Sequence, residues 1–135
     1  YKALPRVIYT APELAFAGLS EQQAHEKYDK GITVLRVPFC ENHRAVTENT
    51  PKGGIKVIVR RGKILGAAIA GENAGELIQP WVLAIENGLS IGKMAGTIAP
   101  YPTYSEINKK VAASYFLPGL MSDFAKKISR FLFQF

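Results

Sequence analysis

Ile55-Lys56-Val57-Ile58-Val59-Arg60, then Arg61-Gly62-Lys63, then Ile64-Leu65-Gly66-Ala67-Ala68-Ile69-Ala70 is the stretch that decides the fold. Two largely apolar runs, the first rich in β-branched residues, are joined by a short turn that contains glycine, which predicts a β-hairpin. Gly66 inside the second run predicts a bulge or a close approach of another backbone segment. Upstream, Arg6-Val7-Ile8-Tyr9-Thr10 reads as a strand that Ala11-Pro12-Glu13-Leu14 breaks. Ile32, Val34 and Val37 mark a further strand ending near Pro38, after Gly31 resets the backbone. Residues 41–53 are polar, contain Pro51 and Gly53-Gly54, and read as a loop.

Helical signals lie on both sides of the hairpin. Ser20 with Gln23 has the spacing of a capping box, so a helix runs from there to about Asp29. Leu77, Ile78, Trp81, Val82 and Ile85 recur at helical spacing, predicting a helix from Ala74 to about Asn87 with a kink at Pro80 and a stop at Gly88. Ser90 to Met94 reads as a short helical turn, and Ala99-Pro100-Tyr101-Pro102-Thr103 as a tight, rigid segment. Ser105 is placed as the cap of a last helix through about Ala113. Hairpin-linked strands followed by helices give an α+β fold: a mostly antiparallel sheet with helices packed on one face.

The chain has 135 residues, enough for one domain with a real core. Apolar residues at 47% and charged residues at 21% exclude a disordered chain or a collagen-like repeat. The net charge of +6 is spread along the chain, and no basic stripe with interleaved aromatics accompanies it, so no nucleic-acid partner is expected. One cysteine, Cys40, cannot close an internal disulfide. No apolar run approaches the ~20 residues of a membrane span, and no signal-peptide pattern opens the chain, so a cytoplasmic location is expected. Tyr1 at the first position reads as a piece of a longer protein.

Tests for chemistry narrow the choice further. Neither G-x-G-x-x-G nor G-x-x-x-x-G-K-[ST] occurs, so this chain is expected to hold no nucleotide cofactor. Cys40 and His43 have C-x-x-H spacing, but a structural zinc site takes four ligands, and a loop thiol beside a surface histidine is the plainer account. No G-x-S-x-G marks a serine nucleophile. The remaining cluster is Pro100-Tyr101-Pro102-Thr103-Tyr104-Ser105-Glu106. From the residues alone it is a rigid turn, with Glu106 stabilising a helix N-terminus; a phenol is a poor general base at neutral pH.

These blocks, taken in order, resemble the dimerisation domain of the flavin-dependent pyridine nucleotide-disulfide oxidoreductases, which include glutathione reductase, dihydrolipoamide dehydrogenase and mercuric reductase. Val7-Ile8-Tyr9-Thr10-Ala11-Pro12-Glu13-Leu14-Ala15 is similar to the family's opening F-T-x-P-E, and Gly18-Leu19-Ser20-Glu21 to the G-l-T-E after it. The central hairpin matches, Ala74-Gly75-Glu76-Leu77-Ile78 is similar to A-x-E-l-I, and Tyr101-Pro102-Thr103-Tyr104-Ser105-Glu106 falls on H-P-T-x-S-E. The resemblance covers about residues 4 to 115. It implies a homodimer in which this module completes the active site of its partner. It also implies FAD and NAD(P)H domains elsewhere in the parent protein, with none of those cofactors held by this chain. Tyr101 and Glu106 are the site residues it assigns, and the Tyr101-Pro102 bond is expected to be cis.

The sequence departs from the family at Tyr101, which stands where most members carry the acid/base histidine. Mercuric reductase is similar at that one position, because it also has a tyrosine there. It ends in a vicinal cysteine pair, whereas this chain ends Phe131-Leu132-Phe133-Gln134-Phe135. Residues 1–115 are therefore read as the dimerisation domain and 116–135 as a basic amphipathic helical tail. Phe124, Ile128, Phe131, Leu132 and Phe135 line one face of that tail, and Lys126, Lys127 and Arg130 fall off it. Two occupants fit such a face: the protein's own surface, or an anionic membrane met through residues 120–135. The isolated chain is expected to be inactive. The alternative reading is a stand-alone binding module that keeps the fold without catalysis.

Overall fold

The computed structural model describes residues 2–120. Five strands, β1 (Arg6–Ile8), β2 (Glu13–Gly18), β3 (Ile32–Pro38), β4 (Gly54–Arg60) and β5 (Lys63–Gly71), form one antiparallel sheet in the order β1-β2-β5-β4-β3. The hairpin that decided the fold is its centre. Arg60 pairs with Lys63 across a two-residue turn in which Arg61 (φ 49°) and Gly62 (φ 79°) both have positive φ. That backbone twist matches the right-handed twist of the strands it joins.

Gly66 meets both of its expectations. The register shifts between Ile58 and Val59, so Leu65 is the extra residue of a bulge. A Cβ on Gly66 would run into the backbone of Leu19, the turn that leads into helix α1 (Glu21–Lys27). Only glycine lets these two backbones approach so closely.

Alternation along the strands sorts the two faces. Ala15, Ala17, Leu35, Val37, Ile55, Val57, Val59, Ala67 and Ile69 point to one side and are buried there. Helices α3 (Ala74–Leu77), α4 (Gln79–Glu86), α5 (Ile91–Ala95) and α6 (Glu106–Ser114) supply Leu77, Ile78, Trp81, Ile85, Ile91, Ile107 and Val111 to the same core. Helix α1 is the exception to a one-sided arrangement. Its Ala24 is buried with Ile58 and Leu65 on the opposite side of the sheet. Glu21 at its first turn pairs there with Arg36 and Lys56.

Several expectations need correction. The segment after Pro12 is not merely a break. Glu13–Gly18 is strand β2, and its pairing with β1 and β5 makes it internal to the sheet. Its sequence, with alanine and glycine in place of β-branched residues, gave no strand signal. Helix α1 stops at Lys27, capped at its start by the Ser20–Gln23 box. Residues 41–53 are not all loop: a 3-10 turn at Phe39–Glu41 leads to helix α2 (His43–Thr47), capped by Asn42. Pro80 does not kink one helix. It sits in the first turn of α4, where its missing N–H costs nothing, and α3 ends before it. After α6 comes a short helix α7 (Leu117–Leu120); the helical face proposed from Phe124 to Phe135 lies outside the described residues.

Candidate active-site segment

Residues 99–105 link α5 to α6, and the segment lies against the 3-10 turn and α2. The Tyr101-Pro102 bond is cis, as the resemblance implied. The segment is held by its own polar groups. The Thr103 hydroxyl donates to the Pro100 carbonyl (2.7 Å) and lies 2.8 Å from the Ser105 hydroxyl. The Thr103 N–H donates to Glu106 Oε2 (3.2 Å). Ser105 thus occupies the cap position of α6 without capping it, because its hydroxyl is engaged with Thr103 and makes no bond to the helix.

Asn42 latches this segment to the domain. It is 3% exposed. Its Oδ1 accepts from the Ala45 N–H (3.0 Å), starting α2, while its Nδ2 donates to the Thr103 carbonyl (3.0 Å) and the Tyr104 carbonyl (3.4 Å). Tyr104 turns inward, with its hydroxyl 2.7 Å from that of Thr50 and its ring edge-on to Phe39. Below it, buried Asn108 accepts from Trp81 Nε1 (2.8 Å) and donates to the Leu77 carbonyl (3.1 Å), tying α6 to α3 and α4. Every polar group at this joint has a partner, which is the condition for burying it without loss.

Tyr101 is the side chain that this frame presents outward. It is 69% exposed. Its hydroxyl lies 3.1 Å from His43 Nδ1, and the two rings meet edge to face at 87°. The sequence placed Tyr101 and Glu106 together, and the structure sets them on either side of Thr103. Glu106 faces the Thr103 N–H, and the partner of the Tyr101 hydroxyl is His43. His43 and Asn42 had not been assigned to this site. The two partners are 58 residues apart, and no local pattern joins them. A cleft of about 360 Å³ beside the pair is lined by Glu41, Asn42, His43, Glu106, Lys109 and Lys110. Lys110 is paired with Glu41 across it (2.7 Å). Among the described residues no group of three His, Cys, Asp or Glu side chains could hold a metal.

Residues 4–112 match the family model of the pyridine nucleotide-disulphide oxidoreductase dimerisation domain. The chain belongs to that family. The dimerisation domain is 41% identical over 116 residues to dihydrolipoyl dehydrogenase of Geobacillus stearothermophilus, covering 83% of this chain and 24% of that protein. It is 40% identical over 114 residues to the mitochondrial dihydrolipoyl dehydrogenase of Dictyostelium discoideum, covering 83% and 23%. Among solved structures it superposes on the Cu(II) complex of the HOCl-induced flavoprotein disulfide reductase RclA from Escherichia coli. The TM-score is 0.80 at 26% identity, over 84% of this chain and 26% of that one. LpdA from Mycobacterium tuberculosis is similar, with a TM-score of 0.76 at 26% identity, over 83% and 25%. The dimerisation domain therefore spans about a quarter of the length of the curated relatives it matches. Nothing in these likenesses supports membrane contact, one of the two readings of the tail.

Proposed function

We infer that this domain joins two copies of an FAD- and NAD(P)H-dependent disulfide oxidoreductase and carries Tyr101 and Glu106 into the partner's redox site. The observation behind this reading is the contrast at residues 101–106. The backbone there is tied at Thr103 and Tyr104, while the Tyr101 phenol stands out to solvent. A large aromatic group held rigidly outward loses little entropy when a second surface closes on it, which suits a group that works across a subunit boundary. Glu106 contributes by holding the Thr103 N–H and so the direction of the turn. Within the paired site the phenol would donate a hydrogen bond to a sulfur or to a disulfide substrate. FAD and NAD(P)H, bound by the other domains, supply the electrons. The dihydrolipoyl dithiol in the name of the dehydrogenase relatives, with the disulfide formed on its oxidation, is the first candidate couple.

Two measurements test this. Sedimentation equilibrium of the chain should show reversible self-association, and a strict monomer up to the highest soluble concentration would count against its joining role. In the complete FAD-bearing protein, Tyr101→Phe should lower disulfide turnover about 100-fold, the usual scale for loss of a proton-donating group. Flavin reduction by NAD(P)H should be unchanged. Full turnover in Tyr101→Phe would refute the assignment of the phenol.

A further inference from the structure

The contact between His43 and Tyr101 joins two side chains that local packing does not require to meet. Both are exposed, and a hydrogen bond between exposed groups adds little to stability because water competes for both partners. The fold nevertheless fixes their relation from behind. His43 is the first residue of α2, and Asn42 just ahead of it holds α2 through the Ala45 N–H. The same Asn42 side chain donates to the Thr103 and Tyr104 carbonyls, two and three residues beyond Tyr101. One buried amide thus sets the backbones that carry both rings. Thr47 adds a hydroxyl bond to the His43 carbonyl (2.9 Å).

We propose that His43 is the positioning and proton-holding residue for Tyr101, so that the imidazole this segment lacks in sequence is returned to it by α2 in space. This rests on the proposed role of Tyr101 at the partner's dithiol. Imidazole is the side chain whose ordinary titration spans neutral pH. When it is neutral, the phenol O–H donates to Nδ1; when it is protonated, Nδ1–H donates to the phenol oxygen. In the protonated state a relay is available. The phenol O–H bond breaks as its proton moves to the leaving thiolate sulfur, and the Nδ1–H bond breaks as that proton moves to the phenol oxygen. The products are a thiol, an intact phenol and a neutral imidazole, and no electrons change hands in the step. The phenol therefore passes a proton without having to rest as a phenolate.

The charged groups around the imidazole are these. From α2, Arg44 is engaged with Glu48. From the preceding turn, Glu41 is paired with Lys110 of α6. Glu106 and Lys109 of α6 line the same cleft, and Tyr104 is turned inward to Thr50. Two carboxylates, Glu41 and Glu106, and two ammonium groups, Lys109 and Lys110, thus line the cleft beside the imidazole.

The test has one arm on the chain and one on the complete flavoprotein. In the full 135-residue chain, nitrogen NMR of His43 at high pH should show a hydrogen-bonded Nδ1 that becomes a free one in Tyr101→Phe. An unchanged resonance would refute the pair itself. In the flavoprotein, the pH profile of disulfide turnover should lose one ionisation in His43→Ala, with about a tenfold fall near neutral pH. His43→Gln keeps a hydrogen-bonding partner for the phenol but cannot titrate. It should restore substrate KM and leave the ionisation missing. A His43→Gln profile identical to that of the parent would overturn the relay. Tyr101→Phe separates the two readings. If it abolishes turnover while both His43 variants keep the parent profile, the role of Tyr101 stands and the relay falls. If Tyr101→Phe is itself fully active, the relay falls together with the role on which it rests.

Discussion

Two buried asparagines organise this domain at the scale of single residues. Asn42 is both a helix cap and a latch, and Asn108 bridges an indole to a backbone carbonyl inside the core. A buried amide earns its place only when both of its ends are used. Asn108→Ala would strand the Trp81 N–H and the Leu77 carbonyl together. Unfolding in urea should show a loss of about 2–4 kcal/mol, since each stranded group costs about 1–3 kcal/mol. The midpoint should move with little change in slope. Sequence periodicity placed Trp81 in a helix, but no local pattern named Asn108 as its partner. The pairing joins positions 27 residues apart and exists only once α4 and α6 are packed.

At the scale of elements, the β4–β5 hairpin holds two positions of opposite design. Arg61 adopts a left-handed backbone that side chains with a Cβ avoid, and asparagine tolerates it better than arginine does. Arg61→Asn should therefore stabilise the domain by about 0.5–1 kcal/mol, read from its thermal or urea midpoint. Gly66 is the reverse case. Its replacement by alanine pushes a methyl into the Leu19 backbone and forces β5 from α1. A loss of at least about 1–3 kcal/mol is expected, with the hydrogen-exchange protection of Ala24 falling more than that of Trp81. The difference in location matters, because Ala24 and Trp81 lie in clusters on opposite faces of the sheet. A Gly66→Ala protein as stable as the parent would show that β5 and α1 can part without cost.

At the scale of the whole molecule, two carboxylates fasten separate pieces to the sheet and its helices. Hydrogen bonds from Lys56 and Arg36 lower the Glu21 pKa from its ordinary 4.5, fastening α1 to β4 and β3. The backbone N–H of Ala3, then that of Lys2, lowers Glu86 from the same value, fastening the amino-terminal arm to α4. A carboxyl held below its unfolded value stabilises the fold above that value. The contribution is then lost as pH falls through the lowered one. The domain should accordingly lose stability as pH drops below about 4.5. The double variant Glu21→Gln, Glu86→Gln should be less stable at neutral pH and flatter in acid, as measured by thermal midpoints between neutral pH and pH 3. An equally steep acid limb would place the sensitive groups elsewhere.

Much of the domain was legible in residue order because its signals are local. The hairpin, the Ser20–Gln23 box and the Gly66 irregularity each depend on neighbours within a few positions. Family membership was legible for the same reason, as short blocks in a set order. What failed was local evidence that the tertiary structure overrides. Strand β2 forms from alanine and glycine because β1 and β5 supply its hydrogen bonds on both sides. Pro80 begins α4 because α3 ends first. The candidate site divides along the same line. Tyr101 and Glu106 share one short motif, and the family resemblance assigned them from it. His43 reaches the phenol only because buried Asn42 holds α2 against residues 103 and 104, and contacts between distant positions exist only after the chain has closed on itself.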